Sequence, residues 1–367
     1  MRAGSPSCAP RGASPLPVVG FLAAAALLAA VPAFVQSPYA LHVMVLLFLA
    51  IIQGESWNVL GGYTGQYSVG HAAYFGVGAY VTLMLLQFRQ VPPWWGAWAA
   101  VLLAVVLGLV VGSITFRLRG PYFVLASIAV AEIVRLVVQN WKSVTNGAEG
   151  ILVTEVPALR IGGHLVTDFT GKVPFYYAGL GLAAVTVAVN WAVQHSKLGY
   201  YFQAIREDQD AAHSLGISLA RYKNVALAIS AFFTAWSGAF YGIYVGFVDP
   251  NLLAVDVSVQ IVLICIIGGI GTILGPVLGA LVLVPLSEAL RSNLIAEGLF
   301  SLGLSPTSRT GLFLKENLAQ AHVLIYGILV VVVILYMPDG VLGFVKNLAR
   351  RRAAARGAAA AATGGAA

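Results

Sequence analysis

The polar residues that could do chemistry begin with a glycine-rich stretch, 61–80, set between strongly apolar segments. Glycine lets backbones approach closely, and irregular backbone at membrane depth survives only beside protein or a water-filled cavity. The stretch therefore indicates either a close-packed helix crossing held by polar groups or a broken helix that lines a polar pathway. The residues predicted to line such a pathway are Tyr63, Gln66, Ser68 and His71.

Three isolated charges lie in the apolar segments. Glu132 and Arg135 are three residues apart and share a face of a helix, which predicts an intramembrane ion pair. Mutual neutralisation and contact with a substrate are both compatible with this spacing. Glu55 lies near the predicted end of a span, from which its carboxylate would reach the interface. His71 has no second ligand at metal-binding spacing, so we predict no metal site.

A charged, amphipathic stretch at 206–230 separates two long apolar segments. Acidic residues open it, where they favour the positive end of a short helix, and an apolar stripe of Ala211, Ala212 and Leu215 follows. Gly216 fits the position after the helix end. The stretch is either an ordinary solvated loop or a helix that docks on a partner. The residues predicted to make that contact are Arg206, Glu207, Asp208, Ala211, Gly216 and Arg221.

The composition indicates which kind of secondary structure positions these residues. Of 367 residues, 59% are hydrophobic and 10% are charged, whereas about a quarter are charged in a soluble domain. The apolar runs are continuous rather than alternating, so they predict an all-α polytopic membrane protein with about ten transmembrane segments. The eighth and ninth segments flank 268–276 and indicate a Gly-rich broken helix hairpin. The segments lie near 17–35, 39–60, 66–87, 96–116, 121–140, 174–194, 225–247, 257–269, 273–290 and 321–337.

The distribution of Lys and Arg predicts the orientation in the membrane. With the N-terminus inside, 13 of these residues fall in inner segments and 7 in outer segments, as the positive-inside rule requires. Both termini and the loop 195–224 are then cytoplasmic, and the loops 141–173 and 291–320 are outside. The net charge of +7 reflects this bias, and no nucleic-acid partner is predicted.

The chain divides into an N-terminal tail (1–16), a transmembrane domain (17–345) and a basic, then Ala/Gly-rich tail (346–367), for which we predict disorder. The first apolar segment is either retained or cleaved as a signal peptide. The sequence contains no Walker A motif, no Gly-x-Ser-x-Gly and no His-Glu-x-x-His. We therefore predict no catalytic residue and no cofactor bound by this chain.

Three blocks of sequence resemble the integral membrane permeases of branched-chain amino-acid ABC importers, of the LivM type. They are Ser56 to Tyr80, Arg117 to Leu136, and the stretch from Ala204 to Ala280. The resemblance covers roughly 40–345. Its most specific part combines charge, cap and spacing in AIREDQDAAHSLGISLARYK, residues 204–223.

The resemblance implies a function and a set of partners. Residues 204–223 would form the coupling loop that sits in a groove of a cytoplasmic ATPase. The chain would work in a bacterial cell (inner) membrane with a second homologous permease, two ABC ATPase subunits that bind ATP and Mg, and an extracytoplasmic substrate-binding protein. The cargo would be branched-chain or related neutral amino acids.

Two alternatives remain open from the sequence. Related permeases serve urea and short amides, so the cargo could belong to that class. An ion-coupled secondary transporter acting alone would instead use Glu132, Arg135 and His71 as a proton or substrate path.

Overall fold

The computed structural model describes residues 16–35, 37–154, 157, 159–161, 164–167, 171–291, 327–328, 331, 335 and 340–343. The predicted C-terminal tail lies outside these residues. So do nearly all of the predicted N-terminal tail and of the outer loop 291–320, and most of the tenth predicted segment. The statements that follow concern the described residues.

The architecture is a bundle of helices with short strands at one end. The strands are β1 (Ile151–Leu152), β2 (Leu159–Ile161), β3 (His164–Thr167) and β4 (Phe247–Val248). The helices are α1 (Leu16–Phe34), α2 (Pro38–Trp57), α3 (His71–Arg89), α4 (Pro93–Thr115), α5 (Pro121–Asn140), α6 (Lys142–Thr145), α7 (Lys172–Gln194), α8 (Lys197–Glu207), α9 (Gln209–Ser214), α10 (Leu219–Val245), α11 (Val255–Gly268) and α12 (Leu274–Arg291).

Six helices in the described part of the chain are long and apolar enough to cross a membrane, which confirms the predicted all-helical polytopic fold. In one of them, α2 continues through a π-helical turn, Asn58–Tyr63. α11 has 14 residues, so it is about 21 Å long and shorter than the roughly 30 Å of the hydrocarbon core. α11 and α12 form the predicted hairpin. The six are Pro38–Tyr63, His71–Arg89, Pro93–Thr115, Pro121–Asn140, Lys172–Gln194 and Leu219–Val245.

The crossing of α3 and α10 is built on glycine. A Cβ atom on Gly78 would overlap the carbonyl oxygen of Ala235, and one on Gly238 would overlap that of Phe75. Small residues let backbones come this close in membranes. The part of the glycine-rich stretch that lies within α3 is therefore a close-packed crossing.

The contact between α2 and α7 contains a buried polar pair. The Asn190 side chain donates through Nδ2 to Glu55 Oε2 at 2.5 Å and to the Glu55 carbonyl oxygen at 2.8 Å. Glu55 is fully buried. The prediction that Glu55 reaches the interface is wrong, because the π-helical turn extends the span to Tyr63, eight residues further on.

Two contacts define opposite ends of the bundle. At one end β1 pairs with β4 in antiparallel register, with Ile151 opposite Val248. The loop 141–173, which carries β1, also holds α6 and the β2–β3 hairpin. At the other end, Arg119 in the turn between α4 and α5 forms an ion pair with Asp210 in α9 at 2.9 Å.

Candidate substrate pathway and coupling element

The helical structure is interrupted between α2 and α3, at residues 64–70, and we call this irregular segment the break. Gly65 adopts φ +68°, a conformation that glycine tolerates without strain. The Trp57 indole N–H donates to the Ser68 carbonyl oxygen at 2.7 Å, which folds the segment back along α2. The predicted segment 66–87 therefore begins its helix at His71 rather than at residue 66.

Serine hydroxyls satisfy the N-terminus of α3. The first N–H groups of a helix have no partner within it, and lipid offers none. Ser258 Oγ in α11 accepts from Ala72 N at 2.8 Å. Ser68 Oγ accepts from the N–H of Gly70, the residue before α3, at 3.3 Å, and Ser127 Oγ in α5 accepts from Val69 N in the preceding irregular segment at 2.9 Å. We did not single out Ser127 and Ser258 from the sequence, although each is a small polar residue within an apolar run.

A narrow crevice opens beside this capped end, between α3, α4 and α5. Hydroxyl groups and aromatic rings share its lining, and none of the described residues that line it is charged. Thr115 is the last residue of α4 and Phe123 lies in the first turn of α5, so the crevice lies toward the end of the bundle that carries α9. Its lining includes Ser68, Gly70, Tyr74, Thr115, Phe123 and Ser127.

The four predicted pathway residues are all buried at the break, but their side chains face different neighbours. Ser68 lines the crevice. His71 Nε2 lies 2.7 Å from Ser230 Oγ in α10, Gln66 Nε2 donates to the Thr64 carbonyl oxygen at 3.3 Å, and Tyr63 packs in an apolar cluster. Tyr63 Oη and His71 Nδ1 have no hydrogen-bond partner among the described residues. The four residues therefore lie close to one another at the break, but their side chains do not line a single cavity.

Glu132 and Arg135 contact each other directly. Arg135 donates through Nη2 to Glu132 Oε1 at 2.5 Å and through Nε to Oε2 at 2.9 Å. A third bond, from Nη1, reaches Gln139 Oε1 at 3.3 Å. These bonds stay within α5, whereas His71 bonds to α10, so the described contacts do not join the three residues into a proton path. No cluster of potential metal ligands occurs within the described ranges.

The charged stretch begins at the end of α8, contains α9 and continues into α10, and Asp208 joins α8 to α9. Phe202 and Ile205 of α8 are fully buried in the bundle. Asp208 caps α9, because its Oδ1 accepts from Asp210 N at 2.8 Å and from Ala211 N at 3.0 Å. Glu207 is the last residue of α8, so the prediction that the acidic residues open the short helix is wrong for this residue.

An exposed apolar side chain follows the C-terminal end of α9. Leu215 is 82% exposed, whereas Ala212 is buried, so the predicted apolar stripe faces two ways. Gly216 follows with φ +85°, the left-handed conformation that favours glycine after a helix. Lys223 Nζ donates to Gln209 Oε1 at 2.8 Å and ties α9 to α10.

Arg206 differs from the other residues predicted to dock. Its Nη1 donates to the Gly62 carbonyl oxygen at 2.7 Å, so its guanidinium turns toward the bundle. All six residues of the predicted set are exposed, Arg206 included, and Arg206 is the one that also bonds to the π-helical turn: the other five are Glu207, Asp208, Ala211, Gly216 and Arg221.

Comparison with known proteins gives consistent matches over most of the chain. The family described as "Branched-chain amino acid transport system / permease component" matches residues 39–335. The high-affinity branched-chain amino acid transport system permease protein LivM of Escherichia coli (strain K12) is 30% identical over 332 residues, covering 82% of this chain and 78% of that protein. Its counterpart LivH is 24% identical over 301 residues, covering 78% and 89%.

A shorter match extends to a protein with a different cargo in its name. The autoinducer 2 import system permease protein LsrC of Klebsiella pneumoniae is 28% identical over 113 residues, covering 29% of this chain and 33% of that protein. No solved structure gives a significant match to the chain. Because the family match spans well over half of the sequence, the chain belongs to the permease components of branched-chain amino acid transport systems.

Proposed function

We propose that this chain is the membrane-spanning permease of an ABC importer that carries branched-chain or related neutral amino acids across a bacterial inner membrane. The observation that carries the proposal is the α8–α9 element. Phe202 and Ile205 anchor one face in the bundle, while Leu215 at the far end stays exposed. A rigid element with an exposed apolar tip suits the groove of an ATPase better than a solvated loop would.

The proposed importer contains three kinds of partner chain besides this permease. Two ABC ATPases would bind ATP and Mg and supply the energy, and a second homologous permease would form the other half of the pathway. A soluble binding protein would deliver the cargo at the outer loops 141–173 and 291–320. This chain would then move solute without catalysing a reaction itself.

The proposed orientation has both termini and α8–α9 in the cytoplasm. Two contacts support it, since each joins segments that the charge bias assigns to the same side. The Arg119–Asp210 ion pair links two segments assigned inside, and the β1–β4 pairing links two assigned outside.

The proposed pathway follows the break between α2 and α3. Tyr63, Gln66, Ser68 and His71 would contact the solute, joined by Ser127 at the crevice. A neutral lining suits a zwitterion, because a fixed unpaired charge at membrane depth is costly. The same uncharged lining favours a second candidate cargo, urea or a short amide.

The test is uptake into liposomes by the complex purified gently from its native membrane with its partner chains. We expect Walker-motif ATPases and a second permease to co-purify, and ATP to drive uptake of leucine or valine when the binding protein is added. An ATPase chain unable to hydrolyse ATP is the control. Uptake of urea without leucine would move the assignment to the second candidate. A chain that purifies alone and transports on an ion gradient would contradict the proposal.

A further inference from the structure

Arg206 connects the α8–α9 element to the backbone of the break. It follows the buried Ile205 at the end of α8, so its side chain starts from a fixed point. Its bond to the Gly62 carbonyl oxygen, at 2.7 Å, reaches the π-helical turn. The last carbonyl groups of a helix lack partners within it, and a charged donor bonds to such an oxygen more strongly than a neutral one does.

The glycine-rich turn between α11 and α12 meets the same point. Asn58 in the π-helical turn donates through Nδ2 to the Thr272 carbonyl oxygen at 2.9 Å. Its Oδ1 accepts from Gly271 N at 2.8 Å. The Asn58 amide therefore joins two glycine breaks, the one between α2 and α3 and the turn between α11 and α12, through both of its polar atoms.

Three glycines shape a socket around the arginine, and we call this group, with Asn58 and Arg206, the glycine junction. A Cβ atom on Gly271 would overlap Arg206 Nη1 and lie 3.2 Å from the Gly62 carbonyl oxygen. A Cβ atom on Gly65 would lie 3.3 Å from Arg206 Cγ, and one on Gly62 would lie 2.9 Å from Gly271 N. Any larger residue at these positions would displace the guanidinium or separate the breaks.

The glycine junction leads to the crevice within a few residues. Gly65 begins the irregular segment that carries Ser68, whose hydroxyl caps α3 and lines the crevice. Gly65 and Gly271 have φ values of +68° and +79°, so helical hydrogen bonds do not hold the backbone there. A shift of α8 would therefore move this segment more readily than it would move a continuous helix.

We propose that Arg206 is a positioning residue that transmits the displacement of α8–α9 to both glycine breaks, and through them to the crevice. This rests on the proposed function, since the displacement comes from an ATPase bound to α9. Arg206, although exposed, would then act through its bond to the Gly62 carbonyl oxygen, and the docking contact itself would fall to the residues around Leu215.

The test compares Arg206→Gln, Arg206→Lys and Lys197→Gln in the reconstituted complex with its partner chains and binding protein. Lys197→Gln removes a positive charge from the exposed face of the same helix and serves as the matched control. ATP hydrolysis, ATP-driven uptake of leucine and retention of the ATPase chains are measured on each preparation.

For Arg206→Gln we expect bound ATPase chains and continued ATP hydrolysis, with uptake per ATP reduced about tenfold or more, as loss of a charge-assisted bond would give. Arg206→Lys keeps one charged donor and recovers part of that ratio, while Lys197→Gln matches the wild type. An unchanged ratio in Arg206→Gln overturns the proposal. Loss of the ATPase chains also overturns it, because Arg206 would then be a docking residue. A wild-type complex that hydrolyses ATP without ATP-driven uptake contradicts the proposed function instead, so the two failures are distinguishable.

Discussion

The α3–α10 crossing and the glycine junction use the same residue type for different purposes. At the crossing, the atoms that a side chain on Gly78 or Gly238 would meet belong to the backbone of the opposite helix. At the junction, a side chain on Gly271 would meet Arg206, and one on Gly62 would meet Asn58. The crossing is regular helix on both sides, whereas the junction has left-handed backbone at two positions. The difference indicates that glycines at the crossing serve folding, while those at the junction hold a charged side chain against a compliant backbone.

Replacing Gly238 with Val should have the largest effect. The new side chain would overlap the Phe75 carbonyl oxygen, and overpacking of this kind costs about 1–3 kcal/mol or more. We expect little folded protein in the membrane, measured by size-exclusion chromatography of a fluorescent fusion. Gly181→Val is the control, because no atom lies within 4 Å of a Cβ at that position. Equal amounts of folded protein for the two variants would show that α3 and α10 can move apart without loss of the fold.

Gly271→Ala should reduce transport as strongly as Arg206→Gln does while leaving the fold in place. A non-glycine residue at φ +79° costs roughly 1–2 kcal/mol, and its methyl group would displace the Arg206 guanidinium. We expect folded protein by chromatography, with uptake per ATP as low as in Arg206→Gln. Gly120→Ala also places a non-glycine residue at a positive φ, +56°, but with no neighbour within 4 Å, and it should transport normally. Loss of folded Gly271→Ala protein would show that the glycine junction, like the α3–α10 crossing, is needed for folding.

The Glu55–Asn190 pair allows a test on the folding side of the comparison. Removing the carboxyl group in Glu55→Ala leaves one N–H of the buried Asn190 amide without its acceptor, while the other keeps the Glu55 carbonyl oxygen, and this should cost about 1–3 kcal/mol. Glu55→Gln keeps the shape and adds a donor beside Asn190 Oδ1, an atom without a partner among the described residues. We therefore expect Glu55→Gln to unfold at the wild-type temperature and Glu55→Ala to unfold earlier. Equal destabilisation of both would mean that the pair requires an ionised carboxylate.

Arg119→Gln should have the smallest effect. Its ion pair with Asp210 has side chains that are 60% and 75% exposed, and such pairs contribute roughly 0–1 kcal/mol. Unfolding temperature and uptake per ATP should both stay close to wild type, and Asp210→Asn should behave in the same way. A marked loss of uptake in both variants would extend the coupling path from the glycine junction to the turn between α4 and α5.

The sequence predicts the class of fold well, because continuous apolar runs leave helices as the spanning structure. Local signals also anticipate local structure: Asp208 lies at the start of a short helix and Gly216 just beyond its end. Contacts between distant segments cannot be read in this way. Nothing near Arg206 indicates a bond to a carbonyl 144 residues earlier, and nothing near Glu55 indicates the π-helical turn that keeps it buried.

The measurement that tests the coupling account most directly is the labelling of a cysteine at position 68. Ser68→Cys would be the single thiol in a chain with Cys8 and Cys265 replaced, reconstituted with the partner chains. A small maleimide is added either without nucleotide or after trapping with ATP and vanadate. If Arg206 transmits the movement, the labelling rate changes on trapping in the otherwise wild-type complex, and Arg206→Gln abolishes that change. The same change in both complexes would contradict transmission through the glycine junction.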